Sequence, residues 1–158
     1  MRTGRLLLPV ILTGFIWSTI DMTHAAERPG KPPGRQRAEK LYRDGNFNDA
    51  YQAYRGLSLD PEDDPLQVAN DLNMATQCLQ RLNRVAEIDT FSEAVIETHA
   101  GNWRLLAGAA QNYMNTVHHG FMVAGEFQRG NKRGGGQMVN AAERDRVRAL
   151  QLTVQAMP

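Results

Sequence analysis

The sequence predicts an all-α protein: a right-handed stack of about three helix pairs plus a closing helix, behind a signal peptide. Three observations predict it. Apolar residues recur three and four apart in successive segments from Ala38 to Met157, the spacing of one helix face. Short polar turns separate those segments, the clearest at Gly45-Asn46. At 158 residues, 42% of them hydrophobic, the chain is long enough for one domain with a real core.

The first 26 residues read as a targeting element. Arg2 and Arg5 precede an apolar run from Leu6 to Ile20, and the following DMTHAAE offers cleavage after Ala25 or Ala26. The run is short for a membrane span, which needs about 20 apolar residues. Arg28, Lys31, Arg35 and Arg37 follow it, and positive charge there opposes translocation, so an uncleaved anchor is the alternative to cleavage. Residues 27–37, ERPGKPPGRQR, read as a Pro/Gly-rich linker with almost nothing apolar to bury.

The helical domain is expected over residues 38–158. Ala38, Leu41 and Tyr42 share a face of its first helix, Gly45 is free to adopt positive φ, and Ala50, Tyr54 and Leu57 mark a second helix that Pro61 stops. Next, Asp63 and Asp64 precede a helix striped by Ala69, Leu72, Thr76 and Leu79. A turn at residues 81–84 leads into Val85, Ile88, Phe91 and Val95. Asn102 suits a cap for a helix carrying Trp103, Leu106, Ala110, Tyr113 and Val117. Its partner helix is expected over residues 120–128, although Gly120 and Gly125 weaken its propensity. A flexible basic loop, RGNKRGGG at residues 129–136, follows. Asn140 then caps a last helix whose apolar face is Val147, Leu150, Val154 and Met157, with Glu143, Arg144, Asp145, Arg146 and Arg148 solvating the rest.

Ala38, Leu41, Tyr42, Gly45, Phe47, Ala50, Tyr54 and Pro61 resemble a tetratricopeptide repeat, a family of about 34-residue helix-turn-helix units that stack as a solenoid. Trp103, Leu106 and Ala107 match the same pattern. The resemblance implies a partner peptide or domain held on the concave face. Exposed polar positions on the first helices of the pairs, Arg43, Asn70, Asn73, Gln77, Arg104 and Asn112, are the expected contacts, with Tyr42 and Tyr54 in the core. Residues 119–158, through EFQRGNKRGGG and ERDRVRALQL, are similar to the segment preceding the macroglobulin region of exported bacterial alpha-2-macroglobulin-like proteins. That implies a helical leader, or a truncated relative, of a large envelope protein.

A net charge of +1 argues against nucleic acid or an anionic membrane as the main partner. Cys78, the single cysteine, sits in an apolar pattern and reads as a buried thiol. His118 and His119 are adjacent and, on a helix, would diverge, so they do not predict a metal site. Arg129, Lys132 and Arg133 with bare glycine backbone could hold an anion, but no P-loop Lys-Ser/Thr follows and no aromatics interleave.

The expectation is therefore an exported protein–protein interaction module of the periplasm or envelope, with no catalytic residues and no cofactor. Its partner is another protein or a C-terminal continuation of the same polypeptide. The competing enzyme reading is a phosphate-handling hydrolase built on the basic loop and the His pair.

Overall fold

The computed structural model describes residues 33–131 and 136–157; the predicted signal peptide and linker residues 27–32 lie outside them. The described chain is mostly helical with one small antiparallel sheet. Its helices are α1 (Pro33–Arg43), α2 (Phe47–Ser58), α3 (Val68–Arg81), α4 (Ile88–Thr98), α5 (Trp103–Asn115) and α6 (Ala142–Gln155). A single 3-10 turn, Val85–Glu87, leads into α4.

Helix α1 begins inside the predicted linker. Proline is tolerated in a first helical turn, where its missing amide is not needed. Two residues on, Arg35 is fully buried and donates from Nε to Asp71 Oδ2 at 2.7 Å and from Nη2 to Asp63 Oδ2, which fastens the turn to α3. Gly45 joins α1 to α2 at φ +79°, and Tyr42 and Phe47 meet edge-to-face across the turn at 5.4 Å.

The core follows the predicted stripes of the first four helices and, after Trp103, of α5. Ala38, Ala50, Tyr54, Leu72, Leu79, Val95 and Leu106 are all buried, and Tyr51 of α2 meets Phe91 of α4 edge-to-face at 5.7 Å. Helices α3 and α5 approach closely at Gly108, where a Cβ would come within 2.9 Å of the Ala69 methyl. Cys78 is buried as expected, and loss of water pushes its thiol pKa up to about 11, so it stays protonated at neutral pH.

The predicted helix over residues 120–128 is absent. Strands β1 (His119–Val123) and β2 (Glu126–Arg129) form a hairpin there, and β3 (Gln137–Asn140) pairs with the other edge of β1, giving the order β2-β1-β3. The two glycines that weaken a helix are what the sheet requires. At Gly120 a Cβ would lie 2.3 Å from the Gln128 carbonyl oxygen and 2.6 Å from the Phe127 ring. Ala124 at φ +51° and Gly125 at φ +87° make a two-residue turn of the left-handed kind that suits strand twist. The described residues therefore contain six α-helices rather than seven, and α5 is followed by a sheet rather than by a helical partner.

Candidate functional site

The site is built around a buried ionic junction. Arg129, read from the sequence as a cation in an exposed loop, closes β2 and is buried. Its Nη1 and Nη2 donate to Asp145 Oδ2 and Oδ1, both at 2.8 Å. Nε and Nη2 reach Asp89 Oδ1 at 2.9 and 2.7 Å, and Nη1 also donates to the Val117 carbonyl. All three guanidinium nitrogens are thus committed, joining the sheet, α4 and α6. Around them His118 Nδ1 lies 2.8 Å from Asp145 Oδ2, and Arg144 Nη2 bridges Asp89 and Asp145 at 2.6 and 2.9 Å. Burial alone would raise the Asp145 pKa; the hydrogen bonds from Arg129, His118 and Arg144 outweigh it and lower the pKa to about 2.

This junction sets the rotation of α6, and the result inverts the expected amphipathicity. Asp145 is fully buried beside Ala149 and Leu152, and Arg148 turns inward to pair with Glu93 of α4 at 2.5 and 2.8 Å. Glu93 in turn accepts from the Tyr113 hydroxyl at 2.7 Å. With charged groups spent on the body of the protein, the apolar stripe points to solvent: Val147, Leu150 and Val154 of α6 are 46%, 59% and 63% exposed, and Met157 just beyond is 59% exposed. The sequence places these charges on the solvated faces; the structure puts Asp145 in the core instead.

At its C-terminal end the stripe runs into a cleft of about 630 Å³ lined by Ala100, Gly101, Trp103, Leu106, Gln155, Ala156 and Met157. Asn102 caps α5 beside it, its Oδ1 accepting from the Arg104 and Leu105 amides at 3.1 and 3.3 Å. That cap leaves Trp103 on the outer side of the first turn, 54% exposed, with the Arg104 guanidinium 4.4 Å over its ring. Trp103 and Met157 thus leave large apolar side chains exposed at the walls of one cleft.

The predicted polar contacts fall elsewhere. Asn70 is exposed and Asn73 and Gln77 are half-buried on α3, and Tyr42 donates to Gln77 Oε1 at 3.1 Å, which brings the end of α1 and exposed Arg43 beside them. On α5, Arg104 and Asn112 share the face that carries Gly108 against α3; Asn112 is half-buried and its Nδ2 has no hydrogen-bond partner. Of the predicted residues, Arg104 is the one stacked on a residue that lines the apolar cleft, Trp103. The anion reading loses Arg129 to the ionic junction, and Lys132 and Arg133 lie outside the described residues.

The two histidines follow α5 rather than sitting on it, His118 in the connection and His119 opening β1. Among the described residues no three His, Cys, Asp or Glu side chains converge as a metal site, and no helix is long and apolar enough to cross a membrane. Trp103, Val147, Leu150, Val154 and Met157 were legible as apolar residues at helical spacing. The outward orientation of the four α6-side residues was not, because it goes with the long-range pairing of Asp145 with Arg129. No family model, curated protein or solved structure matches the chain.

Proposed function

We propose that this chain is a protein–protein interaction module, exported to the periplasm or envelope, in which helix pairs of the tetratricopeptide kind carry a docking surface. The single observation behind the reading is the outward apolar face of α6, continuous with the Trp103 cleft. Three large apolar side chains held on the outside of an ion-pinned helix, with Met157 just beyond it, are costly to leave in water and gain by being covered. The α1–α2 hairpin, with Gly45 at positive φ and Tyr42 against Phe47, supports the repeat reading at the N-terminal end. On this reading the work is shape-complementary docking rather than catalysis.

A photo-reactive side chain at position 150, compared with one at Arg43 or Asn70, tests the proposal in the producing cells. Docking on the apolar face gives a discrete cross-linked species from position 150 that disappears when Val154→Asp is added. Cross-linking from Arg43 or Asn70 alone moves the docking surface to the polar side of α1 and α3. Adducts from none of the three positions overturn the interaction reading.

A further inference from the structure

A second cleft, of about 400 Å³, lies where α3 and α5 end against the sheet and takes no residue from α6. Four carboxamides, those of Gln80, Asn83, Asn115 and Asn131, line it together with the Thr116 hydroxyl and the His119 imidazole. Among the described residues its lining holds no carboxylate, ammonium or guanidinium group. The cleft is polar and carries no fixed charge.

Backbone geometry places each wall. Asn83 follows α3 at φ +56°, the left-handed position that glycine commonly fills after a helix. There the Arg84 amide donates to the Leu79 carbonyl at 2.8 Å and the Asn83 amide to the Gln80 carbonyl at 3.1 Å. The backbone thus caps α3 by itself, and the Asn83 carboxamide is left to the cleft. Asn115 ends α5, and Thr116 follows it in an extended conformation. At the open end of the β1–β2 pair the Gly130 amide donates to the His119 carbonyl at 2.8 Å. Gly130 also seats the sheet on the 3-10 turn, since a Cβ there would overlap the Val85 side chain. His119 Nε2 lies 3.2 Å from Asn131 Oδ1, which leaves the amide hydrogens of Asn131 uncommitted by that contact. Thr116 is the independent sign of an occupant. It is the most buried side chain of the lining, 7% exposed, and its Oγ1 has no hydrogen-bond partner. A hydroxyl left unpaired away from water is costly, and a polar ligand atom beside it offsets that cost.

We propose that this cleft binds a neutral polyhydroxylated ligand, a short saccharide. A carboxamide holds a donor and an acceptor side by side, and a sugar hydroxyl donates once and accepts twice. Neighbouring hydroxyls on one ring therefore use both halves of each carboxamide, whereas an ion uses only one half. An ion would also be desolvated there without a counter-charge. Val85 and Val117 supply apolar contact for the C–H face of a ring. The volume falls low in the range of about 300–1,000 Å³ that small ligands occupy, which suits a short saccharide rather than a polymer. The assignment is independent of the α6 face and stands or falls apart from it.

An amide NMR titration of the purified chain tests the proposal, with N-acetylglucosamine and maltose as probes and sodium phosphate and ammonium chloride as charged controls. The expected result is a saturable shift at millimolar sugar, confined to the backbone around Gln80, Asn83, Asn115, Thr116, His119 and Asn131. Asn83→Gly keeps the left-handed turn and removes only the carboxamide, and Asn115→Ala trims an exposed side chain. Each is expected to weaken binding about fivefold with no loss in the unfolding midpoint. Thr116→Val keeps the shape of the side chain and should weaken binding by a similar factor without destabilising the fold. A purely structural Thr116 would leave the affinity unchanged. No saturable shift with either sugar, or binding that survives Asn83→Gly combined with Asn115→Ala, overturns the proposal. Shifts of the same residues by phosphate or ammonium but by neither sugar overturn the neutral-ligand assignment.

Discussion

Each end of the described chain is fastened by a buried arginine held between two aspartates, and the two junctions differ in reach. Arg35 ties the first turn of α1 to Asp71 of α3 and to Asp63 in the segment before it, and its Nη1 has no hydrogen-bond partner. Arg129 joins a strand, α4, α6 and the Val117 carbonyl, with every guanidinium nitrogen engaged. The first device holds the first turn of α1 against α3. The second holds three kinds of element in register and, by drawing Asp145 inward, turns the apolar side of α6 outward. A buried charge pair is weak evidence for stability, because desolvation offsets much of its attraction, but it is a strong constraint on orientation.

The sharpest way to break this comparison is to remove one partner at each end. Asp145→Ala leaves Arg129 buried without its two-pronged acceptor and is expected to cost about 3–5 kcal/mol, read from chemical denaturation. It should also lower hydrogen-exchange protection across α6 and the sheet together. Arg35→Ala is expected to cost roughly 2–3 kcal/mol and to lower protection in α1 alone, since the junction it removes ties only the first turn of α1 to α3 and the segment before it. Equal losses of protection across the whole chain from both substitutions would erase the distinction between a local and a global junction.

Acid sharpens the same contrast without mutation. The Asp145 pKa is held down to about 2, below its unfolded value, so the junction contributes fully above about pH 4 and loses its contribution as pH falls toward 2. Roughly 2 kcal/mol of stability should disappear over that window. Denaturation midpoints measured at steps between pH 5 and pH 2 check it, and in Asp145→Asn most of that slope should be gone.

The N-terminal half was legible because its signals are local. Gly45 at a turn, the stripe from Leu72 to Leu79 and the Asn102 cap each act within a few residues, and each forms where helical spacing places it. Residues 117–145 were not legible, for physical rather than statistical reasons. His119–Val123 holds three apolar side chains and a glycine with no clean alternation, and β3 pairs with it across the Gly-rich segment. Arg129 reads as a solvated cation until Asp89 and Asp145, far away in sequence, are brought to it. The candidate site inherits that difficulty: its residues are local and visible, its orientation is long-range and hidden.

The smallest expected effect concerns the two tight turns. At the N-terminal end the Gly45-Asn46 pair suits its conformation, and Gly45→Ala should cost about 1 kcal/mol because its φ of +79° is strained for any residue with a Cβ, even in open space. At the C-terminal end the hairpin turn uses Ala124 at φ +51° before Gly125 at +87°, an alanine where this turn favours asparagine or glycine. That mismatch hid the hairpin from the sequence, and it leaves strain in the folded state that a better residue relieves. Ala124→Asn should therefore stabilise the chain by about 0.5–1 kcal/mol, since asparagine enters the left-handed region more readily than alanine does. Thermal unfolding of that variant beside Gly45→Ala measures both. Opposite signs would place the N-terminal turn at its conformational optimum and the C-terminal turn short of one, with Arg129, at the far end of β2, holding the sheet closed in spite of it.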